Sequence, residues 1–179
     1  MKKVIVKCKL KNHETFERKL SDIDLDFSAV QWQHDRIYVP REYKKNSNYP
    51  RLIMRTTMQA VDKPARYSFI LKRHIEDSGV DIVEETVVKD YETVVKIILQ
   101  LGFKLAAEVS RRRQYLSMGE GVYIYLDKIE KLPGYYAKIE AALPEGESVS
   151  AVREDIAKTF QALGESSFVD STYFELNHN

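Results

Sequence analysis

Apolar and polar residues alternate with period two along most of the chain, the pattern of strands with one buried face. Within 3–10, Val4, Val6, Cys8 and Leu10 share one face, and Lys3, Ile5, Lys7 and Lys9 share the other. Further strands are predicted over 30–39, 51–56, 67–73, 80–88, 107–116, 122–128 and 135–142. The run Met118-Gly119-Glu120-Gly121 is a hairpin-like turn between two of them, with glycine where a positive φ is needed. The stretch Lys44-Lys45-Asn46-Ser47-Asn48 before Pro50 is the most loop-like part of the chain.

Period 3.6 appears in three places. A short helix runs from Asn12 or Glu14 to Leu20, with Phe16 and Leu20 one turn apart. Asp90 is an expected N-cap for an apolar stripe of Val94, Val95, Ile98 and Leu101, which Gly102 closes. Ser150 is the expected cap of a third helix, with Val152, Ile156, Phe160 and Leu163 inside and Gly164 as its stop. A final turn holds Tyr173, Phe174 and Leu176. Strands in succession disfavour a doubly wound sheet. The expected class is α+β, a closed or nearly closed antiparallel barrel of about eight strands with helices outside, and residues 1–179 are read as a single domain.

Composition narrows the function classes. Hydrophobic residues make up 44% and charged residues 31%, so the chain is globular and can bury a core. The single cysteine, Cys8, excludes an internal disulfide and a cysteine zinc cluster, and reads as a packing residue. His13, His34, His74 and His178 have no ligand spacing and read as surface residues, whereas Trp32 reads as core. The apolar start of the chain is broken by Lys7 and Lys9, and no stretch has the length of a membrane span. A cytoplasmic location is expected, with no membrane partner. Lys and Arg total 28 against 27 Asp and Glu, so bulk charge gives no argument for nucleic acid. In Arg111-Arg112-Arg113 a strand would turn Arg112 away from its neighbours, which disfavours nucleic acid further.

Placement of the charges is more informative than their sum. Several strands carry a wholly apolar face opposite a face of fixed charges. The basic residues on those second faces are Lys3, Lys7, Lys9, Arg51, Arg55, Lys72, Arg111, Arg113 and Lys138, and the acidic ones are Glu85, Asp127 and Glu140. One such strand alone reads as a solvated outer face. If the sheet closes, however, the apolar faces must meet the helices and the charged faces point inward. Converging cations in an empty barrel repel each other. A polyanion inside would resolve that, because arginine offers paired N–H donors to phosphate oxygens and lysine adds point charge.

The order of these features resembles the CYTH superfamily of triphosphate tunnel proteins, which includes class IV adenylyl cyclases and thiamine triphosphatases. Arg51-Leu52-Ile53-Met54-Arg55 is similar to its Arg-x-Arg strand and Leu71-Lys72 to the end of its Thr-x-Lys strand. Val109-Ser110-Arg111-Arg112-Arg113-Gln114-Tyr115 resembles the Lys-x-Arg-x-Tyr strand. Leu126-Asp127-Lys128-Ile129-Glu130, Ile139-Glu140 and Ser171-Thr172-Tyr173-Phe174-Glu175-Leu176 resemble the segments that follow. The resemblance implies a triphosphate or nucleotide ligand, with Lys7, Lys9, Arg51, Arg55, Lys72, Arg111 and Arg113 on phosphate. It also implies Lys7, Lys72 and Asp127 as catalytic residues, and Glu85, Asp127 and Glu140 around a metal. Mg²⁺ or Mn²⁺ is the implied cofactor of a catalytic protein, and none is implied for a binding module.

The departures lie where such a metal would be held. Lys3-Val4-Ile5-Val6-Lys7 stands in place of Glu-x-Glu-x-Lys, Ile53 in place of an arginine, and Lys138 in place of the first acid of a late Glu-x-Glu. Hard oxygen ligands suit Mg²⁺ or Mn²⁺, and lysine is not one. The first functional expectation is triphosphate binding with metal-dependent hydrolysis or ATP cyclisation. Its alternatives are a non-catalytic phosphate- or nucleotide-binding module and, more weakly, an RNA-binding barrel.

Overall fold

A computed structural model describes residues 2–43, 49–59, 63–75, 80–119 and 121–176. The loop-like stretch 44–48, Glu120 of the expected turn and His178 lie outside the described residues. The strands are β1 (Lys2–Lys9), β2 (Gln31–Pro40), β3 (Arg51–Met58), β4 (Arg66–Ile75), β5 (Val80–Val88), β6 (Phe103–Gly119), β7 (Val122–Ile129) and β8 (Tyr136–Ala142). They close an antiparallel barrel in the order β1-β5-β4-β3-β2-β6-β7-β8. Helices α1 (His13–Ser21), α2 (Tyr91–Gln100), α3 (Val149–Ala162) and the single-turn α4 (Tyr173–Leu176) complete the described elements. Among the described residues no helix is long and apolar enough to cross a membrane.

The alternation read from the sequence becomes the inside and the outside of this barrel. Val4, Val6 and Cys8 of β1 face outward and pack with Ile124 and Leu126 of β7 and Ile139 of β8. Phe16 and Leu20 of α1 and Ile156 and Phe160 of α3 cover them. A second outer cluster sets Ile98 of α2 on Tyr38, Leu52 and Met54. The helices are capped as their sequences require. The Asn12 side chain accepts a hydrogen bond from the Thr15 N–H, and Asp90 accepts one from the Thr93 N–H. Gly102 ends the second helix at φ 86°, a conformation that excludes most other residues.

Four expectations are corrected. The third helix begins at Val149 with Ser148 in the N-cap position, so Ser150 lies inside its first turn. β6 starts at Phe103 rather than at 107, because a register shift opposite Ile37 and Tyr38 inserts an extra residue and breaks the alternation there. Leu101 sits past the end of α2 and is 67% exposed. Trp32 is on the outer face of β2, 54% exposed, with the Arg112 guanidinium 5.6 Å from its ring centroid.

Phe160 is fully buried between α3 and the sheet. Phe160→Ala should therefore cost about 3–5 kcal/mol of folding stability, read as a lower urea midpoint at unchanged slope.

Candidate functional site

Within the barrel lies a cavity of about 660 Å³. Its apolar floor is a layer of Ile37, Ile53, Ile70 and Val109. Above and around it stand charged side chains that strand pairing brings together. Register sets Asp35 of β2 opposite Arg55 of β3, Gln33 opposite Arg111 of β6, and Arg113 opposite Asp127 of β7. It also sets Lys138 of β8 opposite Tyr125 on one side and Lys7 on the other.

Most of these groups are neutralised within the protein. Arg55 donates two hydrogen bonds to Asp35, at 2.7 and 2.9 Å. Arg111 donates to the same carboxylate at 2.7 Å and to the Gln33 side-chain oxygen at 3.0 and 3.2 Å. Arg113 forks onto both oxygens of Asp127 at 2.6 Å. Glu140 takes the Lys3 ammonium at 3.1 Å on one oxygen and the Lys138 ammonium on the other. Lys72 reaches Asp81 at 2.8 Å, and His74 meets that carboxylate at 3.1 Å. The Tyr125 ring lies between two cations, 4.5 Å from the Arg113 guanidinium and 4.2 Å from the Lys138 ammonium.

The electrostatics follow from burial set against pairing. Burial alone would raise the Asp35 carboxyl, but Arg111 and Arg55 outweigh it and hold the group far below the usual carboxylate range. Asp127 is depressed in the same way by Arg113, and Glu140 by Lys138 and Lys3. Desolvation pulls the Lys138 amine below its usual range, and the Glu140 carboxylate opposes that pull.

The barrel brings together Lys7, Arg51, Arg55, Lys72, Arg111 and Arg113 of the expected phosphate-binding set. Lys9 is not among them. It stands exposed at the far end of β1, beyond the cavity, where its backbone N–H binds the Ser167 carbonyl. Of the residues expected to be catalytic, Lys7 and Lys72 line the cavity, and Lys7 also donates to the Ser171 carbonyl. Asp127 does not line it. That side chain is fully covered behind Arg113.

The expected metal set is not assembled either. Among the described residues no three His, Cys, Asp or Glu side chains form a group that could hold a metal ion. Glu85 lines the cavity from exposed β5, Glu140 carries two ammoniums, and Asp127 is occupied by a guanidinium. Lys3 and Ile5 turn into the cavity beside Lys7, so β1 offers no acid there. A divalent cation needs several free anionic oxygens, and this donor set does not fit one.

The sequence reading does not single out as site residues Asp35, Gln33, Lys63, Arg66 and Tyr125 of the lining, or Asp81 beside Lys72. Asp35 shares a β2 face with Gln31, Gln33 and Ile37, which is visible as alternation opposite Trp32, His34 and Arg36. Arg66 begins β4, at the limit of its alternation, and Lys63 precedes that strand.

A CYTH domain model matches residues 1–173 of the chain. No curated protein matches it. The fold is similar to that of the PH1819 protein from Pyrococcus horikoshii OT3, with TM-score 0.82, 22% identity, and 97% of each chain covered. A putative adenylate cyclase from Vibrio parahaemolyticus gives TM-score 0.82 at 17% identity, covering 99% of this chain and 98% of that one. The Hippeastrum protein HpAC1, described as a putative adenylyl cyclase with a dominant triphosphatase activity, gives TM-score 0.63 at 14% identity, covering 99% and 95%.

Asp35 holds two buried guanidiniums, so its loss leaves both without an anion. Asp35→Asn should destabilise the ligand-free protein by roughly 3–5 kcal/mol. Asp35, Asp127 and Glu140 are all more acidic folded than unfolded. Their contribution is complete above the unfolded carboxylate value of about 4 and is lost as the pH falls through their folded values. Thermal melts should show stability falling below about pH 4, with a shallower acid limb in Asp35→Asn.

Proposed function

Because the chain belongs to the CYTH domain family, we propose that its barrel is a binding module for the triphosphate end of a small ligand. The observation that carries this reading is the convergence of Lys7, Arg51, Arg55, Lys72, Arg111 and Arg113 on one cavity of about 660 Å³. That volume suits a short chain of phosphates with part of an organic group. These cations come from four strands, β1, β3, β4 and β6, so a linear polyanion along the axis meets donors from several sides. Arg51 and Lys72 are opposite one another across β3 and β4 and supply one end of this lining. Arg55, Arg111 and Arg113 supply the interior, where their carboxylate partners already hold them in place. Such preorganisation lowers the ordering cost of binding.

Binding is favoured over phosphoryl transfer because two of the three acidic groups that would carry a metal, Asp127 and Glu140, are committed to arginine and lysine. The enzymatic reading keeps one observation in its favour: Glu85 and Glu140 are both carboxylates of the cavity lining. A protein with triphosphate hydrolysis or ATP cyclisation as its role would release phosphate or pyrophosphate from ATP, thiamine triphosphate or tripolyphosphate with Mg²⁺ or Mn²⁺. A binding module would leave them intact.

Tripolyphosphate at a hundredfold excess over its Kd should add about 2.7 kcal/mol of stability. For a chain of this size that is a melting shift of roughly 5–10 °C. Orthophosphate at the same concentration should give little shift, having too few oxygens to span the lining. Arg51→Ala with Lys72→Ala should remove most of the tripolyphosphate shift. A full shift in that double variant would place the ligand elsewhere.

A further inference from the structure

Glu140 is an interior carboxylate that two lysines share, with Lys3 Nζ on Oε2 at 3.1 Å and Lys138 Nζ on Oε1. Lys3 and Lys138 come from adjacent paired strands, and both side chains line the cavity. Lys7, on the same face of β1, is the register partner of Lys138. The Arg113 guanidinium lies on the same Tyr125 ring as the Lys138 ammonium. Cations of the protein itself therefore crowd around Glu140, and that carboxylate is already shared between two of them.

Resting on the triphosphate-binding reading, we infer that the barrel selects the metal-free form of its polyphosphate and that divalent cations antagonise binding. A Mg²⁺ ion chelated by two phosphates offsets part of the negative charge that draws the ligand to the lysines. It also brings its own positive charge against Lys3, Lys7 and Lys138, in a cavity where water screens poorly. The ion keeps several water ligands and would seek carboxylates in place of those it loses. Among the described residues no group of three acidic, histidine or cysteine side chains offers them. The metal-free ligand meets ammonium and guanidinium donors directly, with no hydrated ion between them. Specificity arises here from repulsion of one charge state as much as from attraction of the other.

The test is calorimetric titration of the intact protein with tripolyphosphate in EDTA and in excess Mg²⁺, at matched ionic strength. Binding should be weaker in Mg²⁺ by about tenfold or more, where tenfold is roughly 1.4 kcal/mol. Equal or tighter binding in Mg²⁺ would overturn the inference while leaving the triphosphate reading in place. Binding in neither buffer would remove that reading and the inference with it. Lys3→Glu with Lys138→Glu, checked for a cooperative melt, should reverse the order of the two buffers, and an unchanged order in the folded variant counts against the inference. Independently of any variant, the unaltered protein alone should leave the free Mn²⁺ paramagnetic resonance signal unchanged. Stoichiometric loss of that signal would also overturn it.

Discussion

Arg55 and Arg111 are both buried and both reach the same carboxylate, so Asp35 offsets two guanidiniums inside a closed sheet. That arrangement conditions everything else in the interior. Desolvating a guanidinium costs several kcal/mol unless an anion meets it with good geometry. β2 lies between β3 and β6, so a carboxylate there can serve arginines on both neighbours. Arg113 repeats the solution one strand further with Asp127, and Lys138 repeats it with Glu140. The barrel can thus fold with its cations in place before any ligand arrives. Because the cations outnumber the carboxylates around the cavity, a net positive interior remains for an anion to enter.

Much of this was legible from period two alone. The inward position of Lys7, Arg51, Arg55, Lys72, Arg111 and Arg113 followed from alternation, once the outer apolar faces were assigned to the helices. Alternation tells which side of a strand a residue occupies, but not how far along the axis it stands. Lys9 has the right parity and the wrong height, past the end of the cavity. Asp127 also has the right parity, yet Arg113 lies between it and the open space. Height depends on register between strands, and register depends on bulges such as the one opposite Ile37 and Tyr38. No single strand carries that information. Trp32 went astray for a related reason. Trp32 reads as core, but α2 packs on Tyr38, Leu52 and Met54 and does not extend to the start of β2.

The C-terminal segment also shapes the site. Tyr173 and Leu176 pack against the apolar floor with Ile37 and Ile53, while the Ser171 carbonyl accepts from Lys7 and Thr172 Oγ1 stands 3.5 Å from Arg51. Two cations of the lining thus meet the protein's own oxygens at that end. On the proposed reading, a phosphate arriving there would replace a neutral acceptor with a charged one, and charge-assisted bonds are the stronger kind. The exchange gains energy without leaving a cation bare at any point. The Lys7 ammonium is a point charge on a flexible stem, whereas the Arg51 guanidinium is a planar fork, so the two offer different donor geometries at this end.

A barrel of this kind separates two requirements that other folds combine. Outward positions carry the hydrophobic burial that stabilises the chain, through α1 and α3 on one side and α2 on the other. Inward positions beyond the apolar floor of Ile37, Ile53, Ile70 and Val109 are left mainly to charge, and they do not contribute to that outer core. Three members of the similar-fold set stay below 25% identity while covering nearly the whole chain, as expected if outer hydrophobicity and strand order are enough to maintain the shape. The inward residues must satisfy one condition, that every buried charge finds a partner. Acids on β1 and β8 would satisfy it with a metal ion, whereas lysines on those strands satisfy it with Glu140. Placing Lys3 and Lys138 on a shared carboxylate therefore changes what the cavity can hold while leaving the sheet that builds it intact.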